Sequence, residues 1–382
     1  MALHYKRRTP DLAERCLELH FDQAVGPEQT EVRRPFLPAE WFPQSGVQLT
    51  WPHANTDWWG MLDEVTACYL RIAYEIASRE PLLIVTPEPE RVDTLLKEQM
   101  PAEVHQRIFF VRCATNDTWA RDHAFITLIG NTKPTLLDFC FNGWGMKFAA
   151  NLDNLINRRL FQADIFNGDY CSRLDFVLEG GSIESDGCGT VLTTASCLLA
   201  PNRNDTLNKT DIEQRLKTDL RAERVLWLEG GHIEGDDTDG HIDMLARFCP
   251  QKAIAYVQCN DKTDAHYASL AAMEGQLRSF RTLDGEPYRL IPLPLPRPIF
   301  DETGQRLPAS YANFLVINDA VIIPFYNQSD NDSAARAMLQ KAFPLREVVG
   351  IDCCPLIRQH GSLHCSAMQF PAGVLKPRYE KD

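Results

Sequence analysis

The segment that decides the fold is residues 313–352, with the sequence NFLVINDAVIIPFYNQSDNDSAARAMLQKAFPLREVVGID. It contains two short apolar runs, a helix-like stretch and a final apolar run, in the order 313–317, 320–326, 333–343 and 347–352. The polar pair Asn318-Asp319 between the first two runs is typical of a tight turn between strands. The segment therefore predicts one strand–strand–helix–strand unit.

The same order of elements recurs along the rest of the chain. Four further copies, of which the N-terminal one is looser, occupy 242–291, 182–228, 123–178 and 47–86. A unit of about fifty residues repeated five times is in the range of propellers and repeat arrays. The alternative is an irregular α/β domain in which such elements happen to alternate.

Composition and charge narrow the class of partner. Ordinary globular composition, with 44% hydrophobic residues, argues against a collagen, a coiled coil or a disordered tail. Acidic residues outnumber basic ones by 52 to 39, so the 382-residue chain carries a net charge of −13. This balance argues against a nucleic acid or an anionic membrane as the main partner, and it favours a cationic substrate.

The cysteines and apolar runs indicate the compartment. The twelve cysteines are scattered and include no Cys-x-x-Cys pair, so we interpret them as reduced thiols rather than as a disulfide framework. The first residues lack the apolar run of a signal peptide, and no apolar run is long enough to span a membrane. We therefore expect a soluble, cytoplasmic protein.

Polar clusters follow the strands that end several of the predicted units. They occupy 116–122, 178–181, 235–243 and 359–365. In a closed ring of units these loops would surround one axis, so the sequence predicts a functional site at a common mouth.

Within 235–243, His241 and Asp243 are two residues apart, which places them on the same side of an extended strand. An imidazole and a carboxylate that face the same way suit acid–base chemistry on a cation. The alternative from another class is a zinc or iron site formed by His232, Asp237, His241 and Asp243. His232-Ile233-Glu234 matches half of a zinc deaminase signature, but the half that contains the cysteine pair is missing.

Each remaining cluster also has a purely structural interpretation. Asp122 could form a surface ion pair with Arg121, and residues 179–181 could be a glycine turn. Cys365 could be a buried, inert thiol, because cysteine is among the most buried residue types. The acidic run 235–243 could be a solvated loop.

Taken together and in order, the motifs resemble those of the agmatine deiminase family, whose relatives include the bacterial peptidylarginine deiminases. The resemblance rests on Pro38-Ala39-Glu40-Trp41-Phe42-Pro43, Trp51-Pro52, residues 116–122, Phe141-Asn142-Gly143-Trp144-Gly145, residues 179–183, Asn202-Arg203-Asn204, residues 235–243 and His364-Cys365. The sequence departs from the family pattern at 359–362 and 123–125, which leaves the far end of the substrate pocket undefined.

The resemblance implies a fold and a set of roles. The fold is the pentein, a five-bladed pseudo-symmetric α/β propeller of ββαβ units, with one catalytic domain at 36–382 after an N-terminal arm at 1–35. The resemblance implies that Cys365 is the nucleophile and that His241 is the general acid and base. It implies that Asp122 and Asp243 are the carboxylates that bind the guanidinium. Glu179 would then support the histidine, and Trp119 and Asp237 would be further substrate contacts. The resemblance implies neither a metal nor an organic cofactor.

The implied reaction is the hydrolysis of agmatine to N-carbamoylputrescine and ammonia through a cysteine thiouronium, as a step of polyamine biosynthesis. The partner is then a small cationic guanidine, not a nucleic acid or a membrane; the sequence leaves a monomer and a homodimer open. One alternative is an arginine or peptidylarginine deiminase that produces citrulline, in which Arg121 or Arg203 would clamp the substrate carboxylate. Another is a catalytically inactive or metal-dependent guanidine-binding protein.

Overall fold

The computed structural model describes residues 34–130 and 133–377. Nearly all of the predicted arm at 1–35, and residues 131–132 within the predicted unit 123–178, therefore lie outside the described residues. Pro35–Asp382 forms one compact unit.

The secondary structure of the described residues alternates between strands and helices. The strands are β1 (Gln44–Thr50), β2 (Leu82–Thr86), β3 (Ile108–Arg112), β4 (Ile126–Leu128), β5 (Thr135–Cys140), β6 (Asp169–Val177), β7 (Ile183–Ser185), β8 (Thr190–Thr194), β9 (Arg224–Leu228), β10 (Ala246–Cys249), β11 (Ala253–Gln258), β12 (Arg289–Pro294), β13 (Leu315–Ile317), β14 (Ala320–Phe325), β15 (Glu347–Asp352) and β16 (Ala367–Pro371). The α-helices are α1 (Leu62–Ala77), α2 (Pro89–Gln99), α3 (Ala102–His105), α4 (Ala120–His123), α5 (Gly143–Met146), α6 (Ile156–Gln162), α7 (Ala195–Leu198), α8 (Lys209–Asp219), α9 (Tyr267–Ser279), α10 (Ser329–Ala342) and α11 (Cys354–Ile357). Short 3₁₀ turns occupy Trp59–Met61, Asp153–Leu155, Gly180–Ser182 and Ile242–Met244.

Four of the five sheets have the same topology. They are β4-β5-β6, β7-β8-β9, β10-β11-β12 and β13-β14-β15. In each sheet the first two strands are antiparallel and the third is parallel to the second. The parallel step requires a crossover, which α6, α8, α9 and α10 supply in turn. These are the predicted ββαβ units.

The first sheet closes the ring. Its strand order is β16-β1-β2-β3, so the unit that starts the propeller takes its antiparallel strand from the C-terminal part of the chain. The pairing is antiparallel, with Leu49 opposite Ala367 and Val47 opposite Gln369. The sequence did not predict β16, and this pairing explains why the first repeat looked incomplete. The five-bladed α/β propeller is confirmed.

Packing of the helices on the sheets forms the core. The positions of α1 that repeat every three or four residues, Val65, Tyr69, Ile72 and Ile76, are all fully buried. The central strand β14 is buried along nearly its whole length, as expected for a strand with neighbours on both edges and a helix against one face. Within the described residues, no helix is both long enough and apolar enough to cross a membrane.

Two of the predicted units begin with a helix or a turn instead of a strand. The first strand of the unit 123–178 starts only at Ile126, because residues 120–123 form the short helix α4. The first strand of the unit 242–291 starts at Ala246, because a 3₁₀ turn occupies Ile242–Met244. In both places a buried aspartate, Asp122 or Asp243, precedes the strand.

Candidate active site

A cleft is lined by side chains from five segments that lie near one another at the ends of the units. The lining consists of Asp57, Asp117, Trp119, Asp122, Trp144, Phe148, Asp236, Asp237, Thr238, His241, Asp243, Met244, Gln359, His360, Gly361 and Cys365. Six of the seven predicted site residues are in this set, and Glu179 is not. Three of the four clusters singled out in the sequence, 116–122, 235–243 and 359–365, therefore meet at this cleft, and Gly181 of the fourth lies next to its residues.

His241 and Asp243 reach the cleft from a turn, not from an extended strand. Leu245 N donates to Ile242 O at 2.9 Å and Met244 N donates to His241 O at 3.3 Å, which closes the 3₁₀ turn. Residues two apart do not share one side of such a turn, so the reasoning from strand alternation was wrong. Both side chains line the cleft nonetheless.

The Cys365 thiol is buried at the base of the cleft, with 6% of the residue exposed. The Asn313 amide nitrogen lies 3.2 Å from Sγ, and Oδ2 of Asp243 lies 3.7 Å from it. Burial, together with the charges of Asp243 and Asp122, raises the pKa of this thiol well above its ordinary value. Without a bound cation, Cys365 is therefore protonated.

The Asp243 carboxylate has one occupied and one free oxygen. Oδ2 accepts a hydrogen bond from Nδ1 of His364 at 2.8 Å. Oδ1 is buried and has no hydrogen-bond partner in the described chain. Burial alone would raise the pKa of Asp243, but the bond from His364 and the nearby positive charges lower it. Oδ1 is thus an ionised acceptor without a partner among the described residues.

Asp122 is the second carboxylate and extends from α4. Its Oδ2 accepts from the indole N–H of Trp144, and its Oδ1 accepts from the backbone N–H of Gly181, both at 2.9 Å. Burial raises the pKa of Asp122 to about 6, and the charge of Asp243 adds to the rise. The surface ion pair considered from the sequence is wrong, because Asp122 and Arg121 are both buried.

Gly181 lets the reactive groups approach one another. A Cβ atom at this position would lie 2.7 Å from Nδ1 of His241, 2.8 Å from Oδ1 of Asp122 and 3.0 Å from Oδ2 of Asp243. No residue with a side chain fits there without moving all three groups.

The His241 imidazole is buried and has no hydrogen-bond partner on either nitrogen within the described residues. Nδ1 lies 3.7 Å from Oδ1 of Asp122, and Nε2 lies 3.9 Å from Oε2 of Glu179. Burial alone would lower the pKa of His241, but Asp122, Cys197 and Glu179 raise it well above the ordinary value. The resting imidazole is therefore protonated and can donate a proton.

Glu179 lies behind His241, outside the cleft. Nε of Arg203 donates to both of its carboxylate oxygens, at 3.0 and 2.9 Å, and both side chains are fully buried. Arg203 also donates to Asp239 at 2.6 Å and to the carbonyl oxygen of Thr238 at 2.8 Å. Arg203 thus ties Glu179 to the loop that carries His241.

The mouth of the cleft is aromatic and acidic. Trp119 packs against Gly361, where an added Cβ would lie 2.4 Å from the indole ring. Asp237 is half-buried, and burial raises its pKa while the charge of His360 opposes the rise. Of the described side chains that line the cleft, none is Lys or Arg.

Sequence reasoning missed Asn313, Trp144 and Gly181 as individual residues of the site. Trp144 and Gly181 belong to motifs that were singled out, and the glycine pair was a usable signal of close approach. Asn313 stands just before β13, in a stretch interpreted only as a strand, and nothing in its surroundings marked it.

Two clusters of described residues have the ligand types of a metal site: Glu179 with Cys197 and His241, and Glu40 with Glu184 and His364. In the first, Arg203 already binds both oxygens of Glu179. In the second, Arg247 lies between the two glutamates and bonds to both. These guanidinium groups would repel a metal cation, so neither cluster fits one.

The metal set considered from the sequence is not brought together. Asp237, His241 and Asp243 line the cleft, but His232 is exposed and its ring stacks 6.4 Å from that of His266.

Comparison with known proteins agrees with the fold and the cleft. The sequence profile of the Porphyromonas-type peptidyl-arginine deiminase family matches residues 36–371. A provisionally named agmatine deiminase of Legionella pneumophila (strain Paris) is 34% identical over 343 residues, covering 88% of this chain and 95% of that protein.

Two solved structures are similar over nearly their full length. One is a provisionally named arginine deiminase from Porphyromonas gingivalis, with 52% identity, a TM-score of 0.84 and coverage of 90% of this chain and 99% of that one. The other is a cysteine-to-serine variant of the C. jejuni agmatine deiminase with substrate bound, with 37% identity, a TM-score of 0.83 and coverage of 91% and 99%.

Proposed function

Because the chain belongs to the Porphyromonas-type peptidyl-arginine deiminase family, which places it among hydrolases of the C–N bonds of linear amidines, we propose that it hydrolyses agmatine. The products are N-carbamoylputrescine and ammonia. The reaction proceeds through a thiouronium on Cys365 and serves polyamine biosynthesis.

The observation that carries this choice of substrate is the absence of a carboxylate clamp among the described residues of the cleft. Arginine or a C-terminal arginine peptide presents a carboxylate, for which Arg121 and Arg203 were the candidates. Arg121 is buried and pairs with Glu40 at 3.1 Å, and Arg203 is committed to Glu179 and Asp239. Neither lines the cleft.

The mouth instead suits the ammonium end of agmatine. Asp57, Asp236 and Asp237 line it, and Lys147 nearby is engaged by Asp239 at 2.7 Å. A cation in this acidic mouth gains favourable electrostatic energy, whereas a substrate carboxylate would be repelled.

Binding orients the guanidinium for attack. The free Oδ1 of Asp243 accepts from one guanidinium nitrogen, and Asp122 supplies a second carboxylate on a different segment. Charge-assisted hydrogen bonds of this kind fix the plane of the guanidinium. The central carbon is thereby held against Cys365, and the reaction becomes a positioned, effectively intramolecular step.

The substrate cation also activates the nucleophile. Burial and the two carboxylates keep the free thiol protonated, and a bound guanidinium neutralises the carboxylates. The pKa of Cys365 then falls, the thiol loses its proton to solvent water, and the thiolate forms beside its target. The Asn313 amide, 3.2 Å from Sγ, donates to the thiolate as it forms.

His241 carries the proton. Attack of the Cys365 thiolate on the guanidinium carbon gives a tetrahedral adduct, and the protonated imidazole donates to the departing nitrogen, so that ammonia leaves and a thiouronium remains. The imidazole, now neutral, takes a proton from water, which adds to the same carbon. Collapse of this second adduct breaks the C–S bond and releases the ureido product and the thiol.

No step requires a metal or an organic cofactor, so we expect chelators to leave the rate unchanged. Loss of activity in a chelator, restored by zinc, would favour the metal-dependent alternative. We also expect the enzyme in the cytoplasm, where the eleven described cysteines, none of them paired, would stay reduced.

The test is ammonia release from agmatine, free arginine and a C-terminal arginine peptide, with Cys365→Ala as the blank. We expect agmatine to give the highest kcat/KM. Preferential citrulline formation from arginine or the peptide would replace the proposed substrate. Guanidine binding without ammonia release would identify an inactive binding protein.

A further inference from the structure

His364 precedes the nucleophile, yet it does not line the cleft. It is fully buried and lies between two carboxylates. Its Nδ1 is 2.8 Å from Oδ2 of Asp243, and its Nε2 is 2.6 Å from Oε1 of Glu40. One imidazole therefore joins the cleft to a residue from the start of the propeller, 324 positions away in the sequence.

Glu40 is itself firmly held. Its Oε2 accepts from Arg247 at 2.5 Å and from the Gln369 amide at 3.0 Å, and its Oε1 lies 3.1 Å from Nη1 of Arg121. Arg247 is buried and also donates to the carbonyl oxygen of Phe314 at 2.7 Å. Glu40, which His364 contacts, is thus held in place by three other side chains.

This arrangement determines how Asp243 faces the cleft. A carboxylate on a short side chain can rotate, and either oxygen could point to the substrate. The bond from His364 occupies Oδ2, while Oδ1 has no partner within the described residues. Of the two oxygens of Asp243, Oδ1 is therefore the one left to accept a hydrogen bond from the substrate.

We propose that His364 is a positioning residue: its Nδ1–H fixes the Asp243 carboxylate so that Oδ1 meets the guanidinium. Arg247, which Glu40 holds in place, lies 2.9 Å from Nε2 and fixes the imidazole ring. This inference rests on the proposed function, because it assumes that Asp243 binds a guanidinium. It also assigns a function to the Pro38–Pro43 motif through Glu40, because no residue of this motif takes part in the proposed catalytic steps.

Asn and Gln substitutions separate the two contacts of His364. In His364→Asn the amide nitrogen stands near the position of Nδ1, so the donor to Asp243 is kept and the contact with Glu40 is lost. In His364→Gln the amide extends toward the Nε2 position, so the bond to Asp243 is lost. We expect kcat/KM for agmatine to fall about 10²-fold in His364→Gln, since misplacement of a reacting group by about 1 Å costs that much. His364→Asn keeps the donor to Asp243 but loses the contact with Glu40, so we expect a smaller loss, about tenfold.

The pH profile distinguishes positioning from a general structural role. His364 lowers the pKa of Asp243, and His241 and Arg247 are the other positive groups near that carboxylate. Loss of the His364 bond therefore raises the pKa of Asp243 toward that of Asp122, so that two carboxylates titrate on the acid side of kcat/KM and its fall becomes steeper. We expect this steeper fall in His364→Gln and not in His364→Asn.

Glu40→Gln tests the same proposal without altering His364. The His364 ring then loses the charged carboxylate beside it, so we expect a smaller loss of kcat/KM, about tenfold. Losses of this size are typical when the hydrogen-bond partner behind a functional side chain is removed. The matched control is His105→Asn, which breaks a partly buried His–Asp contact of 2.8 Å between α2 and α3, away from the cleft, and should leave kcat/KM unchanged. Glu40→Gln also keeps the test informative if His364→Gln does not fold.

A binding measurement separates this proposal from the proposed function. Agmatine is titrated calorimetrically into Cys365→Ala alone and into the same variant combined with His364→Gln. Weaker binding in the double variant supports the positioning role even if the protein proves catalytically inactive. Equal affinity in the two, or equal impairment of His364→Asn and His364→Gln, overturns it. If Cys365→Ala binds no guanidine at all, the proposed function fails, and the positioning role with it.

Discussion

The indole N–H of Trp144, in α5 after β5, donates to Oδ2 of Asp122, in α4 after β3, at 2.9 Å. Burial raises the pKa of Asp122 to about 6, and the charge of His241 and the bond from Trp144 oppose the rise. Trp144 therefore helps to set the pH range in which Asp122 can bind a cation.

Trp144→Phe should move the acid limb of the kcat/KM profile to higher pH. Asp122 binds the guanidinium in its ionised form, so activity falls as the pH drops through about 6. Removal of a hydrogen bond to a charged group raises the carboxylate pKa further, and we expect a displacement of about one pH unit. Trp227→Phe, which removes an indole bond to Glu213 away from the cleft, is the control. An unshifted limb would mean that another group controls it.

Gly181→Ala should abolish most of the activity without unfolding the protein. The added methyl group would displace His241, Asp122 and Asp243 together, and we expect a loss of about 10²-fold or more in kcat. Gly275→Ala is the matched control: it lies in the exposed face of α9 with open space around its Cβ, and should raise stability by about 1 kcal/mol with activity unchanged. Thermal melts and steady-state kinetics check both. Near-normal turnover of Gly181→Ala would mean that the three groups can rearrange.

Asp122→Asn and Asp243→Asn should each keep the fold and reduce turnover by orders of magnitude. A neutral amide forfeits the charge-assisted bond and can present a donor where an acceptor is needed. The control is Asp219→Asn, a buried carboxylate paired with Arg173 and Arg215 outside the cleft. A variant that keeps its kcat/KM would show that its aspartate only supports the structure.

His241→Gln should trap the covalent intermediate on Cys365. If hydrolysis suffers more than ammonia loss, a substrate-derived adduct accumulates, and mass spectrometry after acid quench maps it to the peptide that contains this cysteine. Cys365→Ala should be inactive, whereas Cys188→Ala, which removes an exposed thiol, should be fully active. Wild-type turnover by Cys365→Ala would exclude covalent catalysis at this residue.

The repeated units were predictable because each is built from local signals. Apolar runs, turn pairs and helical spacing lie within about fifty residues of one another, and the bounds of β15 agree with the apolar run predicted at 347–352. At the starts of two units the helix α4 and the turn Ile242–Met244 stand in place of the expected strand. They bring Asp122 and Asp243 to the cleft.

The long-range contacts of the site could not be read from the sequence. Asn313 reaches Cys365 across 52 positions, and Glu40 reaches His364 across 324, with nothing in either local pattern to indicate a partner. Such pairs follow from ring closure, which depends on which strand occupies the open edge of the first sheet. The residues of such pairs come into contact only when β16 occupies the open edge of the first sheet.

Closure of the ring by β16 has a consequence for how the enzyme matures. Ser45 Oγ, on β1, donates to the carbonyl oxygen of Pro371 at 2.8 Å, although 326 positions separate them. Pairings of such high sequence separation form late in folding, because a long loop must close first. Cys365 lies just before β16, so the reactive thiol takes its place only when the last blade is complete. A ribosome-bound chain that still lacks β16 would contain the residues of the other four blades but no active site. Catalysis would start only once β16 has paired with β1.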